Sequence, residues 1–159
     1  MLSHKYSTGF TFIELMVTLA ILGVLASAAY PMAKLAVQRN KEHELKQGLR
    51  QIRMAIDAYK QAADEGKIRK STTDSGYPVT LEILVEGVEN AKDIEHHNMY
   101  FLSRLPRDPF ADNSLNPAES WGKRSYASPP EQPENGDDVF DVYSKATGVG
   151  INGIPYREW

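Results

Sequence analysis

Gly9-Phe10-Thr11-Phe12-Ile13-Glu14 opens a stretch with no charged side chain from Leu15 through Ala33. That is about the 20 residues a helix needs to cross the hydrocarbon core of a bilayer. The stretch predicts a membrane-spanning helix, and Glu14 at its head is the anomaly. An ionisable side chain in such a segment costs roughly 2.5 to 3.5 kcal/mol on insertion scales and marks a functional position with a cation nearby. An α-amino group would serve. If the chain is cut between Gly9 and Phe10, the new amine of Phe10 stands one helical turn before Glu14, at the i to i+4 spacing that brings groups together.

These residues resemble the prepilin leader shared by type IV pilins and type II secretion pseudopilins. The leader is short and polar, with His4 and Lys5; Gly9 precedes the scissile bond, Phe10 is aromatic, and Glu14 becomes the fifth residue of the mature chain. The resemblance implies cleavage after Gly9 and N-methylation of Phe10 by a prepilin peptidase. Two other readings stand beside it. Ala26-Ser27-Ala28 looks like the cleavage site of an ordinary secretory signal, which would release a soluble periplasmic protein starting at Ala29. That reading leaves an acid where a basic n-region belongs. A plain signal anchor explains the length but neither Gly9 nor Glu14. Charge bias helps little, because Lys5 on one side faces Lys34, Arg39 and Lys41 on the other.

Within the apolar run, Gly23 and Ser27 form a small-xxx-small pair that lets membrane helices approach closely. Pro31 lacks the N–H of its turn and predicts a kink. Routine membrane packing accounts for both. They also coincide with the glycine and proline of the pilin family, where the resemblance implies a segment able to unwind in an assembled filament.

Of 159 residues, about 35 belong to leader and membrane segment, so one modest globular domain remains. Net charge is −3, and one unit more negative once Lys5 leaves with the leader. No basic face points to nucleic acid. There is no cysteine, so an exported head must hold itself without disulfides. Many type IV pilins resemble one another in a C-terminal disulfide loop, and its absence leans toward a pseudopilin.

Beyond Lys34 the pattern turns amphipathic without a break. Leu45, Leu49, Ile52, Ile56 and Tyr59 recur at spacings of four, three, four and three, one face of a helix. Charged residues fill most of the rest, and Glu42 to Lys46 makes an i,i+4 pair in the favourable order. The helix is expected to stop near Gly66. Running from Phe10 to about Glu65, it would be on the order of 80 Å long at 1.5 Å per residue.

Ile68 to Pro78 reads as a connecting loop, and Val79 to Val88 as a short helix carrying Leu81, Leu84, Val85 and Val88 and closed by Gly87. Together with Gly76-Tyr77-Pro78 this resembles the region after the long helix in the major, G-type pseudopilins of type II secretion. So does Leu105-Pro106-Arg107-Asp108-Pro109-Phe110, where Asp108-Pro109 favours a turn. In that family a glycine and an aromatic strand follow at once; here Trp121-Gly122 arrives after Ala111 to Ser120, an insertion of about ten residues expected in a surface loop. Strands are expected near Arg124 to Ala127 and Val139 to Tyr143, with Pro129 to Asp138 an exposed acidic loop between them.

Several catalytic signals dissolve on inspection. Gly148-Val149-Gly150-Ile151-Asn152-Gly153 fits a dinucleotide fingerprint, but Pro155 follows where a helix is needed. Asn152-Gly153 is better read as a tight hairpin turn. His96-His97 lacks the spacing and the third ligand of a zinc site, so a solvated pair is expected. Ser144 near Asp141 has no nucleophile elbow. No enzyme activity is expected.

The family resemblance implies a calcium loop between the last strand and the terminal tryptophan, built from several acids because calcium takes six to eight oxygens. After Lys145 this chain has no aspartate; Asn152 and Glu158 supply the carboxylate or amide oxygens there. No cofactor is expected, and the remaining metal candidates are Asp137, Asp138 and Asp141. The head is expected to close instead through the Asn152-Gly153 hairpin with Tyr156 and Trp159.

The fold predicted is α+β: a long N-terminal helix, membrane-spanning in its first half, packed on a small antiparallel β-sheet head. Residues 1–9 would be the leader, 10–34 the transmembrane and filament-core helix, and 35–159 the periplasmic head with the second half of the helix. The resemblance implies a pseudopilus subunit of the bacterial inner membrane, crossing it once, that polymerises into a homo-oligomeric filament driving protein export. Gly9 and Phe10 would be its processing residues and Glu14, Gly23 and Pro31 its assembly residues. Its partners would be the peptidase, an inner-membrane assembly platform and minor pseudopilins. A type IV pilin of a surface fibre and a soluble periplasmic protein released after Ala28 are the alternatives.

Overall fold

A computed structural model describes residues 9–71 and 74–159, so His4 and Lys5 of the expected leader lie outside the described residues. Helix α1 spans Phe12–Asp64, 53 residues, and runs through Pro31 without ending there. By contacts the chain divides between Arg39 and Asn40. On the N-terminal side of that division the large apolar side chains from Phe10 to Val37 are all exposed. A helix apolar on every face suits a membrane or the core of an assembly, and α1 is long and apolar enough to cross a membrane. Its two aliphatic hydroxyls in this stretch bond back to the helix: Thr18 donates to Leu15 O at 2.9 Å and Ser27 to Val24 O at 2.7 Å. Neither presents an unpaired donor to apolar surroundings.

On the C-terminal side the predicted stripe is the core. Leu45, Leu49, Ile52, Ile56 and Tyr59 are buried, joined by Ala55, Ala62 and Ala63. Gly48 sits in the same face because a Cβ there would press on the Trp121 ring at 3.2 Å. α1 ends as the sequence led one to expect. Gly66 takes φ of 71°, its N–H reaches Ala63 O, and the N–H of Lys67 reaches Ala62 O. That pair of bonds satisfies the last carbonyls and needs a residue at ease in the left-handed region.

Helix α2 is shorter than expected, Ile83–Glu86, with Gly87 as its cap at φ 83°. Leu81 and Leu84 are fully buried. Val88, read as helical, instead begins β1 (Val88–Glu89), which pairs antiparallel with β2 (Asn98–Met99) in the register Val88↔Met99. The cause is Gly87, whose conformation ends the helix one residue before Val88.

The segment expected to be a surface insertion is exposed from Asp112 to Pro117 and is anchored to the head at its end. It contains α3 (Pro117–Ser120), opened by an Asn116 and Glu119 capping box with proline in its first turn, and it buries Ala118 and Ser120. β3 follows at once as Trp121–Arg124, earlier than the predicted 124–127 and overlapping it at Arg124. Its partner β4 is Asp141–Ser144, antiparallel, with Trp121↔Ser144 and Gly122↔Tyr143 as neighbours. The shift follows from burial: Trp121 is 1% exposed and donates Nε1–H to Pro106 O at 2.9 Å, so the strand forms where the indole is anchored. Val139 precedes the strand rather than joining it, buried with its N–H on Pro78 O.

The Asn152-Gly153 turn is present with a different residue count. Gly153 N–H bonds Gly150 O and Gly150 N–H bonds Ile154 O, both at 2.9 Å. Ile151 and Asn152 are thus the central pair, with Gly153 at φ 80° as the bulge residue. A bridge between Val149 and Pro155 closes it, and a 3₁₀ turn, Tyr156–Glu158, follows.

Candidate functional site

Gly9 and Phe10 precede α1 and are exposed, so the peptide bond between them lies outside the helix, where exposed chain is open to proteolysis. Thr11 and Glu14 meet at the helix start. Glu14 N–H points to Thr11 Oγ1 at 3.3 Å, and Glu14 Oε2 faces the Thr11 N–H and Oγ1 at 3.4 Å. These long contacts have the form of a capping box, threonine followed three residues later by glutamate. The signal stands in the sequence as Thr11-x-x-Glu14. Glu14 therefore has a local role in starting α1. Gly23 lies in the helix with no heavy atom within 4 Å of where a Cβ would be, and the segment between Gly23 and Pro31 is helical.

In the head, the polar groups that bind elements together were mostly invisible in the sequence. Glu42, expected on the solvated face, is 8% exposed and its Oε1 accepts from Ile151 N–H at 2.9 Å and Tyr156 Oη–H at 3.0 Å. Lys46, its expected partner, lies with Nζ 4.4 Å above the Trp159 ring. Arg53 donates Nε–H to Asp141 Oδ1 at 2.8 Å, and Nη2–H to Val142 O at 3.0 Å and Trp159 O at 2.8 Å. Asp108, 1% exposed, accepts Ser144 Oγ–H at 2.6 Å and the Phe110 N–H at 2.8 Å. That places Ser144 against Asp108 rather than Asp141, fully buried, with no access for a substrate.

The three metal candidates do not converge. Asp137 is exposed. Asp138 accepts from the Ser75 hydroxyl, from Ser125 Oγ–H at 2.7 Å and from Tyr126 N–H at 2.9 Å. Burial pushes its carboxyl up, but the three donors outweigh that and hold it below the ordinary aspartate value. Asp141 faces Arg53, with Arg124 Nη2 3.8 Å from its other oxygen. Among the described residues no three His, Cys, Asp or Glu side chains are grouped to hold a metal. His96 and His97 are exposed and each meets a carboxylate, His96 Nδ1 with Glu89 at 2.6 Å and His97 Nδ1 with Asp93 at 2.7 Å.

The closing aromatic cluster is as expected. Tyr156 is buried, stacked on Phe110 with centroids 4.3 Å apart and edge-on to Trp159 at 5.1 Å.

The sequence profile of the prokaryotic N-terminal methylation motif matches residues 4–30. The chain is 29% identical over 112 residues to the type II secretion system core protein G of Vibrio cholerae serotype O1, covering 69% of each chain. It is 28% identical over 138 residues to the protein of the same name from Klebsiella pneumoniae, covering 82% of this chain and 91% of that one. No solved structure gives a significant match. The motif falls on Gly9, Phe10 and the head of α1, and the likeness extends through most of the head. The chain thus carries the prokaryotic N-terminal methylation motif and over most of its length is similar to the type II secretion system core protein G of two bacteria.

Proposed function

We propose that this chain is a pseudopilin, a structural subunit of a type II secretion system, acting mechanically rather than as an enzyme. A prepilin peptidase cuts between Gly9 and Phe10 and methylates the new amine. The apolar first part of α1 then holds the subunit in the inner membrane, crossing it once with the head in the periplasm. An inner-membrane platform and minor pseudopilins draw subunits into a filament packed through residues 10 to about 40, with energy from a separate assembly ATPase. The observation that carries this reading is the conjunction of the methylation motif with a lone carboxylate, Glu14, at the head of a helix whose apolar side chains are exposed to Val37. In the filament, Glu14 would pair with the Phe10 amine of a neighbour, offsetting two charges otherwise stranded in hydrocarbon.

Glu14→Gln tests this. Glutamine still completes a capping box, so helix start, insertion and cleavage should persist while the ion pair is lost. Glu14→Leu should insert at least as well and still fail to assemble. Cleavage, membrane retention, cross-linked oligomers and secretion are measured together. Normal oligomers and normal secretion in Glu14→Leu would show that Glu14 is dispensable for assembly.

A further inference from the structure

The calcium loop that the G-type resemblance implies does not fit the oxygens of this chain. Calcium takes six to eight oxygens, with carboxylates dominant. Between β4 and Trp159, Asn152 Oδ1 already accepts the Ile154 N–H at 3.1 Å, and Glu158 lies exposed on the 3₁₀ turn. Asp141 Oδ1 accepts from Arg53 and from the Val142 N–H at 2.7 Å, and Asp138 is held by three donors from other loops.

What stands there instead is protein-borne positive charge. The Arg53 guanidinium reaches from α1 to the Asp141 side chain, the Val142 carbonyl and Trp159 O, all within 3.0 Å. Arg124 faces the second oxygen of Asp141, and Lys46 covers the Trp159 ring. Lys145 ties the chain just after β4 to Glu119 O at 2.9 Å. A planar guanidinium offers several donors in a fixed fork, and here one side chain gathers oxygens from β4 and from the chain's last turn. That is the cross-linking task a divalent cation performs when it collects oxygens from separate segments.

We infer that Arg53 takes the place of a metal ion in this head: its guanidinium is the cation that closes the C-terminal turn onto β4, and the closure is independent of calcium. The inference is separate from filament assembly, so its test needs no filament. Full-length protein in detergent micelles is melted while Trp121 and Trp159 fluorescence is followed, with EGTA or with millimolar calcium. The wild-type midpoint is expected to agree within about 1 °C in the two conditions. Arg53→Met should lower it by about 4 °C or more in both. Arg53→Lys keeps the charge but loses the fork, and should fall between the two. Asp141→Asn, which leaves the carbonyl acceptors to Arg53, should lower it by less than Arg53→Met and equally in both conditions; if Arg53→Met does not fold, the lysine and asparagine variants carry the reading. A calcium-dependent rise of about 5 °C in the wild type would overturn the inference. So would an unchanged midpoint in Arg53→Met, or calcium restoring that variant to the wild-type value.

Discussion

Tyr156 donates its hydroxyl hydrogen to Glu42 at 3.0 Å, joining a residue in the last turn of the chain to one on α1 that lies 114 positions earlier. The same oxygen takes the Ile151 N–H, so one buried carboxylate fixes both the hairpin and the aromatic cluster to the helix. Replacing a buried acceptor strands its donors, at about 1–3 kcal/mol for each unsatisfied group. Glu42→Ala should therefore cost about 2–3 kcal/mol and Tyr156→Phe about 1 kcal/mol. A double-mutant cycle by chemical denaturation checks the coupling, and additive losses would mean that the bond contributes nothing.

Gly122 lies opposite Tyr143 on β4, and a Cβ there would come within 2.3 Å of the Tyr143 ring. The ring covers a strand residue that has no side chain. Gly122→Ala must push that ring aside, an overpacking cost of about 1–3 kcal/mol. Gly153→Ala has open space but φ of 80°, so its cost is backbone strain, roughly 1 kcal/mol. Melting both variants should rank Gly122→Ala as the more damaging; the reverse order would show that the ring moves freely.

Asp138 gives the head an acid-sensitive joint. Its folded pKa lies below the ordinary value because three donors outweigh burial. The stabilisation is present in full above the unfolded value, about 3.9, and is lost as pH falls through the folded value. Asp138→Asn should thus lower the melting temperature at pH 7, and its deficit should shrink as the pH is taken toward about 3. A deficit that stayed constant with pH would assign the loss to shape rather than charge.

The long helix was legible because its signals are periodic and local: an apolar run, a stripe at helical spacing, and Gly66 to stop it. The β-strands were less legible. Val88–Glu89 and Asn98–Met99 are two residues each, too short to show alternation, and β3 was misplaced because Trp121 is positioned by Pro106, a distant contact. Glu42 and Arg53 look like solvated charges in sequence. Their partners lie 88 to 114 positions away, and no spacing rule reaches that far. Thr11 is the exception, since its cap lies three residues from Glu14, within reach of a local sequence rule.

In the proposed function a prepilin peptidase makes this chain's mature N-terminus at Phe10. Intact mass spectrometry of protein recovered from the inner membrane reads this directly. The mass expected is that of residues 10–159 carrying one N-methyl group, with N-methyl-phenylalanine as the first residue, and replacing Gly9 with a bulky residue should leave uncleaved precursor in its place. A chain beginning at Ala29 would contradict the claim and make the protein a soluble periplasmic one.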